Sequence, residues 1–111
     1  KNKYVLKKGI IFTLYSEEFK LIEIGYVKNN NVLERILLRN KFTLLDKKNG
    51  KLSELELLKT TLKELGIFPL NNLYYPYTNK TMRHLNTLNW PIGNSLYKSR
   101  RIKKEISYAA A

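Results

Sequence analysis

Lysine and arginine are the residue types whose spacing in this sequence points most clearly to chemistry. Residues 65–104 contain seven of them and no carboxylate, whereas eight of the nine Asp and Glu residues lie at or before Glu64. Such a segment repels itself unless an anion lies nearby, and ammonium and guanidinium groups are the side chains that bind phosphate. With the neighbouring His84 and Tyr97, the seven are the candidate nucleic-acid-binding residues: Lys80, Arg83, Lys98, Arg100, Arg101, Lys103 and Lys104.

The charge of the whole chain agrees with this interpretation. Its 111 residues include 21 Lys and Arg against 9 Asp and Glu, which gives a net charge of +12. A charge of this size favours a polyanionic partner, of which nucleic acid is the commonest. The alternative is that the basic residues only solubilise the protein, but a solvated surface usually mixes both signs of charge. The sequence therefore predicts a nucleic-acid partner.

Residues 81–101, TMRHLNTLNWPIGNSLYKSRR, have the pattern of two short helices joined by a tight turn. Pro91 cannot continue a helix, and Gly93 favours a turn. In a helix-turn-helix the second helix enters the major groove of DNA. On the second predicted helix, near residues 95–106, side chains at steps of three and four form one basic and aromatic face: Tyr97, Arg100, Arg101 and Lys104.

Aromatic residues in this half of the chain have two interpretations each. The run LYYPY, residues 73–77, could stack on single-stranded bases or form an apolar seam between the two halves of the protein. Trp90 is predicted to be a core anchor. Tyr97 is either a core aromatic residue or part of the basic and aromatic face of the last predicted helix. His84 is either a helix-surface residue or a phosphate contact beside Arg83.

Several function classes are excluded by composition. The absence of cysteine excludes a disulfide framework, a thiolate zinc site and a cysteine nucleophile. A single histidine excludes a histidine-rich metal site. No apolar run approaches the roughly 18 residues that a membrane span needs. We therefore expect a soluble, cytoplasmic protein without a membrane partner or a bound cofactor.

Periodicity predicts three strands in the first half of the chain. Runs of β-branched and aromatic residues occur at residues 4–15, 19–27 and 41–46. The first two are predicted to form a hairpin. The third is followed by KKNGK, residues 47–51, which is predicted to be a turn.

Two helices are predicted in the same region from capping signals and leucine spacing. Asn31 and Ser53 are the predicted N-caps, each with a glutamate three residues later, Glu34 and Glu56, that would complete a capping box. Gly66 is the predicted end of the second helix. The predicted helices lie near residues 31–39 and 53–65.

The resulting fold class is α+β, a β-β-α-β-α module in which a three-stranded sheet is flanked by helices. The module spans residues 1–68, and the aromatic loop with the basic, helix-turn-helix-like extension spans residues 69–111. The two parts are expected to pack into one compact domain. Thr78 or Thr81 is expected to cap the first helix of the extension.

The order of elements, together with EIGYVKNNNVLERI (residues 23–36) and SELELLK (residues 53–59), resembles the GIY-YIG nuclease superfamily. The closer similarity is to its short, divergent branch, whose second motif is close to KIG-T-N followed by an arginine. The resemblance covers about residues 4–66. It implies a scaffold for metal-dependent cleavage of nucleic acid by two tyrosines on the first strands, a helix arginine and a metal-binding glutamate on a later helix.

By this resemblance Gly25 is the glycine of the second motif, Arg35 the helix arginine and Glu56 the metal carboxylate. The tyrosine of the first motif falls on Phe12, or on Ile11 if the strand is shifted by one residue. The tyrosine of the second motif falls on Glu23. Neither position carries a phenol, and two nearby tyrosines do not match the motif positions: Tyr15 and Tyr26. The scaffold is therefore expected to be catalytically degenerate.

Three functions stay open at this point. The first is a small nucleic-acid-binding protein, with DNA favoured over RNA because the superfamily acts mostly on DNA. The second is an active endonuclease that uses Arg35, Glu56 and Mg²⁺ with an unconventional base. The third is an RNA-binding component of an RNA-rich assembly. Glu56 could also be only a helix cap, and Arg35 only a solvated helix residue.

Overall fold

The computed structural model describes residues 7–39, 41–71 and 73–93. The predicted last helix, near residues 95–106, lies outside these residues. Six candidate binding residues lie outside them as well: Tyr97, Lys98, Arg100, Arg101, Lys103 and Lys104.

Four strands of the described part of the chain form one antiparallel sheet in the order β3-β1-β2-β4. They are β1 (Lys8–Ser16), β2 (Leu21–Val27), β3 (Thr43–Lys51) and β4 (Tyr75–Pro76). The α+β class is therefore confirmed, and the sheet has four strands where three were predicted. The fourth is a two-residue strand from the aromatic run, which pairs with the start of β2. Short alternating patterns of this length carry too little periodicity to be recognised in the sequence.

Among the described residues, three helices cover the two faces of this sheet. They are α1 (Asn30–Arg39), α2 (Leu52–Glu64) and α3 (Asn79–Thr87). Successive side chains of a strand point to opposite faces, so neighbouring residues of β1 belong to different cores. Ile11 packs with the buried residues of α2 and α3, and Phe12 packs with those of α1. The sheet is thus the middle layer, with α1 on one face and α2 and α3 on the other.

The segment KKNGK is strand rather than turn. Lys47 pairs with Phe12 and Lys51 pairs with Lys8, so β3 continues along β1 to its first residue. A Cβ on Gly50 would lie 2.8 Å from the Ile11 side chain, so the glycine permits close packing there rather than a reversal of the chain. Pairing with β1 therefore overrides the local turn propensity.

Both predicted capping boxes lie two residues too late in the chain. Helix α2 begins at Leu52, directly after β3, and the Glu54 carboxylate accepts a hydrogen bond from the Lys51 N–H at 2.6 Å. Ser53 lies inside the helix, so Glu56 is not its capping partner. At α1 the side chain of Asn29, rather than Asn31, accepts from the Val32 N–H at 3.1 Å. The predicted start of α2 is too late because β3 is longer than predicted: the strand ends at Lys51, and the helix begins at the next residue.

The other helix boundaries agree with the sequence. Thr78 is the N-cap of α3, and its hydroxyl accepts from the Thr81 N–H at 3.2 Å. Helix α2 ends just before Gly66, which has a φ of +83° that favours glycine. The Ile67 N–H then donates to the Leu62 carbonyl at 2.8 Å. This bond turns the chain back so that Ile67 is buried.

The two glutamates near the start of α2 provide a matched test of the cap. Glu54→Ala should lower the free energy of unfolding by about 1 kcal/mol, because it leaves the Lys51 N–H without its partner. Glu56→Ala, in the exposed part of the same helix, should change it by less than about 0.5 kcal/mol. Urea unfolding followed by circular dichroism measures both. A larger loss for Glu56→Ala would show that Glu56 is the capping residue after all.

Candidate nucleic-acid interface

Helix α3 positions the three candidate binding residues that the structure describes. Thr81, Met82 and Leu85 are buried and hold one side of the helix against the core. Lys80 and Arg83 are exposed on the other side, and His84 beside them is half-buried. Residues three and four positions apart lie on the same helix face. The structure therefore brings these three candidates together on one rigidly packed helix: Lys80, Arg83 and His84.

The chain after α3 does not form the tight turn of a helix-turn-helix. Such a turn has about three to four residues, whereas residues 88–93 are all non-helical. Trp90 is buried, and its indole N–H donates to the Phe12 carbonyl at 3.3 Å. The Thr13 hydroxyl donates to the Pro91 carbonyl. The connection is thus packed along β1, and the prediction that Trp90 is a core anchor is confirmed.

Two rings of the aromatic run form an apolar seam rather than a surface for bases. Tyr75 and Tyr77 are buried in the core that α2 and α3 share. Tyr74 packs on the opposite face of the sheet, with its ring centroid 5.3 Å from that of Phe42. The rings of Tyr75 and Tyr77 therefore have no exposed face on which a base could stack.

The two residues predicted for the first motif position lie in the core. Phe12 is 2% exposed and packs with Leu33 of α1. Its ring lies over Gly25 on the neighbouring strand, where an added Cβ would be 2.6 Å from the ring. Ile11, the alternative position, is also buried. No phosphate can reach either residue without unfolding this part of the protein.

The remaining motif residues do not converge on one site. Arg35 is exposed on α1, and Glu56 is exposed on α2, so the two lie on helices that cover opposite faces of the sheet. Glu23 is half-buried on β2 opposite Leu14. The Tyr26 hydroxyl donates to the Lys7 carbonyl at 3.2 Å, and Tyr15 packs edge-on against Tyr77. The geometry thus separates the arginine from the carboxylate.

Neither a metal site nor a membrane span is found among the described residues. In residues 7–39, 41–71 and 73–93, no three His, Asp or Glu side chains are grouped in a way that could hold a metal ion. No helix in the same ranges is long and apolar enough to cross a membrane.

Lysines of β3 have intramolecular partners that the sequence did not reveal. The Lys47 ammonium donates to the side-chain oxygen of Asn30 at the start of α1. The Lys48 ammonium donates at 2.7 Å to the carbonyl of Asn89, which has a φ of +65° after α3. These lysines therefore tie the edge strand to elements on both sides of the sheet.

Comparisons of the chain with protein-family models, with curated proteins and with solved structures find no match.

Introducing a phenol at position 12 tests whether this position can act as a catalytic site. Phe12→Tyr should lower the free energy of unfolding by about 1–3 kcal/mol, because the new hydroxyl is buried against Gly25 without a partner. It should also give no Mg²⁺-dependent nicking of supercoiled plasmid. Urea unfolding and a gel assay measure the two effects. Unchanged stability together with new nicking would mean that this position faces a substrate.

Proposed function

We propose that this chain is a small nucleic-acid-binding protein built on a scaffold that resembles the GIY-YIG module without its catalytic phenols. The observation that carries the proposal is the acid-free basic segment, whose described part places Lys80 and Arg83 on the exposed face of a helix anchored in the core. Cations held on a rigid helix can contact phosphates at little additional cost in conformational entropy.

Binding through the phosphate backbone fits the charge of the chain better than recognition of a small anion. Residues 65–104 supply seven cations, and each phosphate contact releases counterions from the nucleic acid. A small anion would need only two or three of them. We favour duplex DNA over RNA because the superfamily that residues 4–66 resemble acts mostly on DNA.

Cleavage is not part of the proposal. A phenol is needed to position or deprotonate the attacking water in the mechanism that the resemblance implies, and Phe12 and Glu23 occupy the two phenol positions. The burial of Phe12 and the separation of Arg35 from Glu56 argue in the same direction.

The salt dependence of DNA binding tests the proposed interface. If about five basic residues each neutralise one phosphate, the logarithm of the binding constant should fall with the logarithm of salt concentration at a slope of about −4 to −5. Lys80→Ala with Arg83→Ala should make the slope less steep by about two units. Arg100→Ala, Arg101→Ala and Lys104→Ala together should do so by about three. Gel-shift or anisotropy titrations at several salt concentrations measure the slopes.

A control of equal charge change is available in β3. Lys47, Lys48 and Lys51 replaced together by alanine should change the slope much less, and two of these ammonium groups already have intramolecular partners. Exposed charges contribute little to stability. We therefore expect the variant of Lys80 and Arg83, and the variant of Arg100, Arg101 and Lys104, to unfold at nearly the wild-type midpoint. If the β3 variant loses binding while the variant of Arg100, Arg101 and Lys104 keeps it, the basic segment is only solvated surface.

The second test concerns catalysis. Purified protein at physiological concentrations should show no Mg²⁺-dependent cleavage of duplex DNA, single-stranded DNA or structured RNA. If cleavage occurs and Glu56→Ala or Arg35→Ala abolishes it while the protein stays folded, the endonuclease alternative is correct. Because Glu56 is not the capping residue of α2, its replacement tests the carboxylate without the loss of a cap.

A further inference from the structure

A groove of about 410 Å³ lies between the C-terminal half of α2 and the loop that leads to β4. We call it the α2 groove and define it by its lining residues: Lys59, Lys63, Phe68, Pro69, Leu73 and Tyr75. It is separate from the basic face of α3, with which it shares no residue. Its volume falls in the range of roughly 300–1,000 Å³ that is typical of small-ligand sites.

The charge of the α2 groove is positive. Lys59 and Lys63 are exposed and lie one helical turn apart on the same side of α2. No carboxylate is among the lining residues: Glu56 lies one turn before Lys59, and Glu64 follows Lys63, but neither lines the groove. Burial raises the pKa of the Tyr75 hydroxyl, so this ring adds no negative charge. Charge complementarity therefore selects an anionic ligand.

The opposite wall of the α2 groove is apolar and exposed. Phe68 is 56% and Leu73 is 51% exposed, which leaves an aromatic ring and an aliphatic side chain in water beside two ammonium groups. The loop that carries them is held at both ends by backbone bonds. Ile67 donates to Leu62, while Leu70 and Tyr74 exchange hydrogen bonds with each other. Backbone hydrogen bonds therefore anchor the chain on both sides of Phe68.

A ligand that satisfies both walls must combine an anion with a flat apolar surface. From this combination we propose that the α2 groove binds an unpaired nucleotide unit of a single-stranded nucleic acid. Its phosphates would contact Lys59 and Lys63, and its base would pack against Phe68. A cationic track beside an aromatic ring is how sequence-tolerant single-strand sites are built. A base inside a duplex is covered by its neighbours, so the α2 groove distinguishes single strands from the duplex contacted by α3.

The inference rests on the proposed function and extends it to a second class of nucleic acid. Fluorescence anisotropy with a labelled oligothymidylate measures single-strand binding by the full chain. Phe68→Ala should weaken it by about fivefold or more, as loss of base stacking does elsewhere. Phe68→Leu, which keeps an apolar side chain but lacks the ring, should weaken it in the same direction. Lys59→Gln with Lys63→Gln should make the salt slope less steep by about 1.4.

Phe19 provides the matched control for the aromatic ring. It is 53% exposed, nearly the same as Phe68, but it lies between β1 and β2 next to Glu17 and Glu18. Phe19→Ala should leave the affinity for oligothymidylate unchanged. An abasic oligomer of the same length separates charge from stacking: Phe68→Ala should have no effect on its binding, whereas the double lysine variant should still weaken it.

The outcomes distinguish this inference from the proposed function. Equal affinities of Phe68→Ala and Phe19→Ala for oligothymidylate, with duplex DNA still bound, would overturn the α2 groove as a single-strand site and leave the proposed function standing. If the protein binds neither oligothymidylate nor duplex DNA, both this inference and the proposed function are overturned. If Phe68→Ala weakens binding of the abasic oligomer as much as it weakens binding of oligothymidylate, base stacking on Phe68 is overturned.

Discussion

The burial of β1 on both faces is the constraint on which the other described elements depend. Four consecutive residues of this strand, Ile11 to Leu14, are at most 2% exposed, and they alternate between the core of α1 and the core of α2 and α3. A strand that contacts both cores must be central in the sheet, as β1 is between β3 and β2. The segment after α3 closes the second core through Trp90 and Pro91, which bond to Phe12 and Thr13.

The same constraint accounts for the residue at the first motif position. A phenol on β1 would need either water or a polar partner, and at position 12 the α1 core and the backbone of Gly25 leave no room for one. Phenylalanine at position 12 is therefore explained by packing in the core of α1. Under the proposed nuclease-like scaffold, the lack of a phenol at position 12 is explained by a core that fills this position.

Local signals in the sequence predicted some features of the fold and missed others for identifiable reasons. The end of α2 at Gly66 and the cap of α3 at Thr78 depend on contacts within one helix, and both were predicted. The capping residues Asn29 and Glu54 were missed because another capping pattern follows two residues later in each case. The extent of β3 was missed because it is set by pairing with β1, a contact distant in sequence.

The proposed binding surfaces show the same division between features set by local sequence and features set by tertiary packing. The sequence predicted His84 on a helix surface beside Arg83, and the structure adds Lys80 to the same helix. The α2 groove could not be predicted, because Lys59 and Lys63 look like ordinary solvated residues of α2, and Phe68 looks like a core residue. The LYYPY run offered two interpretations of equal merit, and only the packing of Tyr75 and Tyr77 decides between them.

Salt has two opposite effects on a chain with this charge. A net charge of +12 on 111 residues destabilises the compact state through self-repulsion, which the buried cores must offset. Added salt screens that repulsion and so favours the free folded protein, while it weakens each phosphate contact in a complex. A polyanion relieves the repulsion by neutralising the cations directly, so that binding and folding are linked. The net positive charge that destabilises the free protein is the same charge that would attract a phosphate backbone.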